Sequence, residues 1–148
     1  MTTGRTSRSK VRAALLAYMQ ARSDALSRAR RELGIGEGDA KALLHIAANP
    51  GIRPSQLRDH LGITSPGVTA LIDRLVERGI VRRDLDPHDR RVNRISVTVD
   101  LAEEPWAGLT RFDTAFDDVV SAGDEEEAAR FAELLESWTA STNGSRVA

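Results

Sequence analysis

The chain has 148 residues, 41% hydrophobic and 29% charged, which is ordinary globular composition at the usual size of one domain. It holds no cysteine, which excludes disulfides, thiolate metal sites and thiol nucleophiles; no stretch nears the roughly 18 apolar residues of a membrane span and residues 1–10 are polar, so a soluble, cytoplasmic protein is expected. The net charge of −1 hides an asymmetry, because residues 1–100 carry 18 Lys and Arg against 11 Asp and Glu, a net of +7, whereas residues 101–148 carry 3 against 11, a net of −8.

In chain order, Val11, Ala14, Leu15, Tyr18, Leu26, Ala29 and Leu33 recur at helical spacing and predict one long amphipathic helix over 11–33. Gly34, Gly36 and Gly38 break it, and Asp39 is expected to cap a second helix reaching residue 49. These glycines follow no strand and read as turn chemistry, not a dinucleotide loop. After Pro50-Gly51, Pro54 suits the first turn of a short helix over 55–61 that Gly62 ends. Thr64 or Ser65 caps a fourth helix, with Pro66 in its first turn, Val68, Leu71, Ile72 and Leu75 on its apolar face, and Gly79 at its end. The three-residue connection before it has the length a helix-turn-helix uses.

Beyond Gly79 the apolar period drops to about 2, predicting strands over 80–85 and 92–99 joined by the polar turn 86–91. Two helices are then expected to close the chain. The first, over 103–122, carries Trp106, Leu109, Phe112, Phe116, Val119 and Val120 on one face. The second starts at Asp124, which with Glu127 forms a capping box, and its stripe is Phe131, Leu134, Leu135 and Trp138. Residues 139–148 are small and polar and are expected to fray.

A helix-turn-helix followed by a basic hairpin is a winged helix-turn-helix, so the predicted class is mainly α with a small β-hairpin wing. A major groove admits one helix, whose N-terminal residues reach base edges while flanking cations neutralise phosphate. On that logic Ser65, Pro66, Gly67, Thr69 and Ala70 face bases, with Gly67 allowing close backbone approach, and Arg74 and Arg78, further along, face phosphates. Arg82, Arg83, Arg90, Arg91 and Arg94 give the hairpin five positive charges, and an arginine at its tip suits a narrow minor groove. Nineteen of the 21 basic residues are Arg, a side chain suited to phosphate and guanine, although coding bias yields the same preference.

At these residues the chain resembles the MarR family of bacterial transcriptional regulators. The likeness runs from the long first helix to the closing pair, and its most specific part is Asp-x-Arg followed after five residues by Leu-Thr, here Asp89, Arg91 and Val97-Thr98. Val97 replaces the usual Leu, and the glycine that commonly follows is absent. The resemblance implies that Arg91 is the minor-groove arginine and that Asp89 orients it or a neighbouring arginine by an ion pair. It implies one domain over 1–148, with a DNA-binding lobe over about 39–99 and dimerisation helices over about 8–33 and 103–140. It also implies a homodimer on a pseudo-palindromic operator in double-stranded DNA, acting as a ligand-responsive repressor. The apolar faces of the first and last helices, otherwise exposed, independently call for a partner.

Tyr18, His45, Trp106 and Phe112 either line a pocket for the small, often aromatic effectors of that family or are simply core. His45, His60 and His88 share no metal-ligand spacing, so no metal or cofactor is expected. No nucleophile with a nearby base and no phosphate loop is present, so an enzyme is not expected. The alternative function is a winged-helix protein-interaction module without specific DNA binding, its acidic C-terminal part docking a basic partner.

Overall fold

A computed structural model describes residues 3–144, with side chains from residue 7 onward except Ser9. The order is α1 (Thr3–Leu33), α2 (Glu37–Ala48), α3 (Pro54–Leu61), α4 (Ser65–Glu77), β1 (Val81–Leu85), β2 (Asn93–Val97), a short 3-10 helix (Trp106–Leu109), α5 (Arg111–Ser121) and α6 (Glu125–Gly144). The expected class, mainly α with a hairpin wing, is the one observed. The chain divides into two compact units, Met1–Phe112 and Asp113–Ala148. Among the described residues no helix is long and apolar enough to cross a membrane.

In the first unit α2, α3 and α4 pack on one another around Leu43, Ile46, Leu57, Ile72, Leu75, Ile80, Ile95 and Leu109, all essentially without solvent contact. The turns that set these helices at their angles are made by glycine. Gly62 sits at φ 65° after α3, a left-handed conformation that costs a Cβ-bearing residue, and its N–H donates to the Arg58 carbonyl at 2.9 Å. Gly79 (φ 69°) closes α4: its N–H donates to the Val76 carbonyl and that of Ile80 to the Leu75 carbonyl, while the Ile80 side chain enters the core.

β1 and β2 form an antiparallel hairpin that pairs Val81 with Val97 and Leu85 with Asn93. Ile52 bridges to Ile95, adding a one-residue third strand beside β2. Burial fades outward along β1, from Val81 at 2% exposed to Leu85 at 60%, so the root belongs to the core and the arm stands in solvent.

Four expectations are corrected. The first helix begins at Thr3, earlier than residue 8 or 11. Asp39 does not cap α2: Gly36, in an extended conformation, precedes the first helical residue Glu37, leaving Asp39 in the first turn with its side chain free to pair elsewhere. The expected helix over 103–122 is broken. Pro105 cannot supply a helical N–H, and Gly108 lies so close to α1 that a Cβ there would be 3.1 Å from the Ala29 Cβ. Trp106 and Leu109 therefore form a separate 3-10 turn seated against α1. Lastly, α6 continues to Gly144 and does not fray from 139, whereas residues 145–148 lie outside the described residues.

In α5 and α6 the described residues include none that is buried. Asp124 does cap α6, its Oδ1 accepting from the Glu127 N–H at 2.9 Å.

Candidate nucleic-acid interface

The helix-turn-helix presents α4 by burying Val68, Leu71, Ile72 and Leu75, which turns the opposite side outward. Ser65, Pro66, Thr69 and Ala70 are all exposed there. Of the two expected caps, Thr64 is the one used, accepting from the Gly67 N–H at 3.2 Å. A Cβ at Gly67 would stand 3.1 Å from that hydroxyl, so the glycine makes room for the cap as well as exposing backbone. The Thr69 hydroxyl donates back to the Ser65 carbonyl at 3.0 Å.

The arginines divide into two groups. Arg74 Nη2 donates to Asp39 Oδ1 at 2.7 Å, tying α4 to α2, and that hydrogen bond raises the guanidinium pKa further. Arg78 donates through both terminal nitrogens to the Gly34 and Leu33 carbonyls, at 3.0 and 2.8 Å, and so caps the C-terminus of α1. Arg82 pairs with Asp84 at 2.8 Å, and Arg83 pairs with Asp73 on α4. Arg94 donates from Nε and Nη2 to Asp86 Oδ2 at 2.7 and 2.6 Å, and from Nη1 to the Gly51 carbonyl at 3.2 Å. In contrast, Arg90 and Arg91 at the tip are exposed, and among the described residues neither guanidinium has a hydrogen-bond or ion-pair partner.

Asp86 organises the tip. It is 4% exposed, and its Oδ1 accepts from the His88 N–H at 2.8 Å and the Asp89 N–H at 3.3 Å. The His88 N–H first, and then Arg94, stabilise the charged form and hold this carboxyl at about 2. Asp89 accepts from the backbone N–H of Arg91 at 3.0 Å. Among the described residues Asp89 makes this backbone bond and not the expected ion pair, and the ion pair at this turn joins Asp86 and Arg94. Sequence reasoning missed Asp86, although Asp-Pro is a turn-initiating signal. It also missed the pairing of Asp39 with Arg74 and of Asp73 with Arg83, because each joins two different elements and leaves no local trace.

The four proposed effector residues are only partly brought together. Tyr18 and Phe112 meet with ring centroids 5.5 Å apart at 55°, and Trp106 packs half-buried against the core. His45 stacks instead on His60, centroids 3.5 Å apart and planes within 5°. Burial, and after it His60, pushes the His45 pKa below 6.5. A cavity of about 250 Å³ opens between α1 and α2, lined by Met19, Arg22, Leu26, Arg30, Lys41 and Leu44 among others, and by none of those four. Among the described residues no group of three or more side chains is placed to hold a metal ion.

A family model described as MarR family matches residues 33–92, which span the end of α1, the three helices of the lobe and most of the wing. Among solved structures, Streptococcus pneumoniae FabT in complex with DNA is 20% identical, with a TM-score of 0.67 over 93% of this chain and 98% of that one. S. aureus MepR bound to ethidium bromide is 19% identical, with a TM-score of 0.65 over 88% and 94%. YusO from Bacillus subtilis is 17% identical, with a TM-score of 0.64 over 93% and 98%. At these identities the likeness is one of fold.

Proposed function

We propose, from a winged helix-turn-helix lobe that matches the MarR family over residues 33–92, that the chain is a sequence-specific DNA-binding transcriptional regulator working as a homodimer. The observation that carries this reading is that, among the described residues, the arginines of the hairpin tip are left unpaired while those on its strands each meet a carboxylate. In the proposed complex Ser65, Pro66, the Gly67 backbone, Thr69 and Ala70 face the major groove, and Arg90 and Arg91 reach the adjacent minor groove. Arg74, Arg78 and Arg94 serve by holding the lobe in shape, with any phosphate contact secondary. The structure of FabT with DNA supports the same use of the fold.

The dimer rests on unpartnered apolar faces. α1 exposes Val11, Leu16 and Met19, and α6 exposes Phe131, Leu134 and Trp138 at 40–51%. A second copy across a two-fold axis would cover them and set two recognition helices about 34 Å apart, one helical turn of DNA. Sedimentation should show a dimer that Phe131→Glu dissociates; a monomer at every concentration would overturn this part. Ligand response is the finer reading, supported by the MepR–ethidium complex. It makes the chain a repressor released by a small molecule that binds the DNA-incompetent spacing more tightly.

The test is fluorescence anisotropy on DNA upstream of the chain's own gene against a scrambled duplex at two salt concentrations. Preference for the native duplex with steep salt dependence is expected. If no duplex recovered from a random pool binds either, the protein-interaction module takes its place.

A further inference from the structure

Arg58 carries no role in the interface described above, yet it joins both helices of the helix-turn-helix. Its carbonyl accepts the Gly62 N–H at 2.9 Å and the Ile63 N–H at 3.4 Å, closing the turn from below. Its side chain crosses the same turn, and Nη1 donates to the Ser65 hydroxyl at 3.1 Å. Asp59 fixes the guanidinium in that position, its Oδ1 accepting from Nε at 3.0 Å and Nη2 at 2.9 Å. The side chain is 36% exposed, so the cation is partly shielded from solvent where it meets Ser65, the first residue of α4.

The hydroxyls at the start of α4 therefore differ in what they offer DNA. Thr64 has its oxygen committed to the helix cap, and Thr69 has given its proton to the Ser65 carbonyl. Ser65 accepts from a cation and keeps its own proton, for which no acceptor exists among the described residues. A hydroxyl that accepts a charge-assisted hydrogen bond becomes a stronger donor, because each bond polarises the next. The nearby positive charge also makes a second donor an unfavourable neighbour.

We propose that Arg58 is a specificity-positioning residue that sets Ser65 as a hydrogen-bond donor, so that the front of α4 reads an acceptor-rich base edge, guanine first. In the major groove guanine shows two acceptors, N7 and O6, where cytosine shows an amino donor. This rests on the DNA-binding reading above and specifies what its recognition helix selects.

The experiment uses the full chain and a duplex selected from a randomised pool by the wild-type protein, with every position of one half-site replaced in turn by the other three bases. Wild type is expected to show one position where guanine is preferred over cytosine by roughly fivefold or more. Ser65→Ala, which leaves the Thr64 cap intact, and Arg58→Ala should each flatten the preference at that position alone, and the double variant should add nothing further. Arg58→Lys, which keeps the charge without the planar fork, guards against a folding defect and should flatten it in the same way. The salt slope should stay at its wild-type value. A uniform loss across all sequences with a slope lower by about one would make Arg58 a phosphate contact and overturn the proposal. So would an unchanged base profile in Arg58→Ala. Failure of wild type to bind any selected duplex would overturn the DNA-binding reading itself, a result distinct from both.

Discussion

The strands and the tip of the wing carry the same residue type, with opposite fates. On the strands, Arg82, Arg83 and Arg94 each meet a carboxylate, and Arg94, one pair below the tip, is drawn against Asp86 and the Gly51 carbonyl. At the tip, Arg90 and Arg91 are displayed by a turn that Asp86 and Asp89 hold through backbone N–H groups. A count of five hairpin arginines therefore overstates the charge available to a phosphate backbone. What distinguishes the two groups is the position of four aspartates, Asp73, Asp84, Asp86 and Asp89.

The contrast can be broken most severely from below. Ile95→Ala removes a fully buried side chain where the hairpin joins the core and should cost about 2–5 kcal/mol of stability, read by denaturant unfolding; an unchanged midpoint would mean the root is not part of the core. Next, Arg91→Ala should weaken DNA binding roughly five- to hundredfold if it contributes like a base contact, with melting unchanged. Arg94→Ala should do the reverse, lowering the melting temperature by several degrees while removing no displayed charge. Similar behaviour of the two variants would dissolve the distinction between strand and tip arginines.

The smaller effects are titrations. Asp86 ionises at about 2 in the fold against an ordinary 3.8, so the stability it supplies is complete above 3.8 and is lost as pH falls through about 2. In Asp86→Asn that acid-dependent component should disappear from unfolding curves, and its persistence would assign it to another carboxylate. His45 has the opposite chemistry. Its pKa lies below 6.5, so the unfolded chain takes up the proton first, and stability falls as pH drops below 6.5 until the folded form is protonated too. His45→Gln should flatten the dependence of stability on pH in that window, the smallest change of the series.

Much of the candidate interface was legible in the residue order. The apolar face of α4 implies an exposed opposite face, so Ser65, Thr69 and Ala70 could be placed from periodicity alone. The change of period after Gly79 located the hairpin, and the polar turn located Arg90 and Arg91. What the residue order left out shares a cause. Arg74 and Arg78 read as phosphate ligands along the helix, and the structure adds partners that no local pattern shows, Asp39, thirty-five residues away, and the end of α1. His45 was placed with three aromatic residues, whereas the packing of α2 on α3 stacks it on His60.

Sequence alone therefore determined the elements, their buried faces and the turns that join them, because periodicity, proline and left-handed glycine act over a few residues. Only the tertiary structure decided which arginine is spent on the fold and which is displayed, and where the helix after the wing breaks. Both depend on charges and surfaces brought within a few ångströms by folding, and a contact at that range leaves no pattern in the chain between its partners.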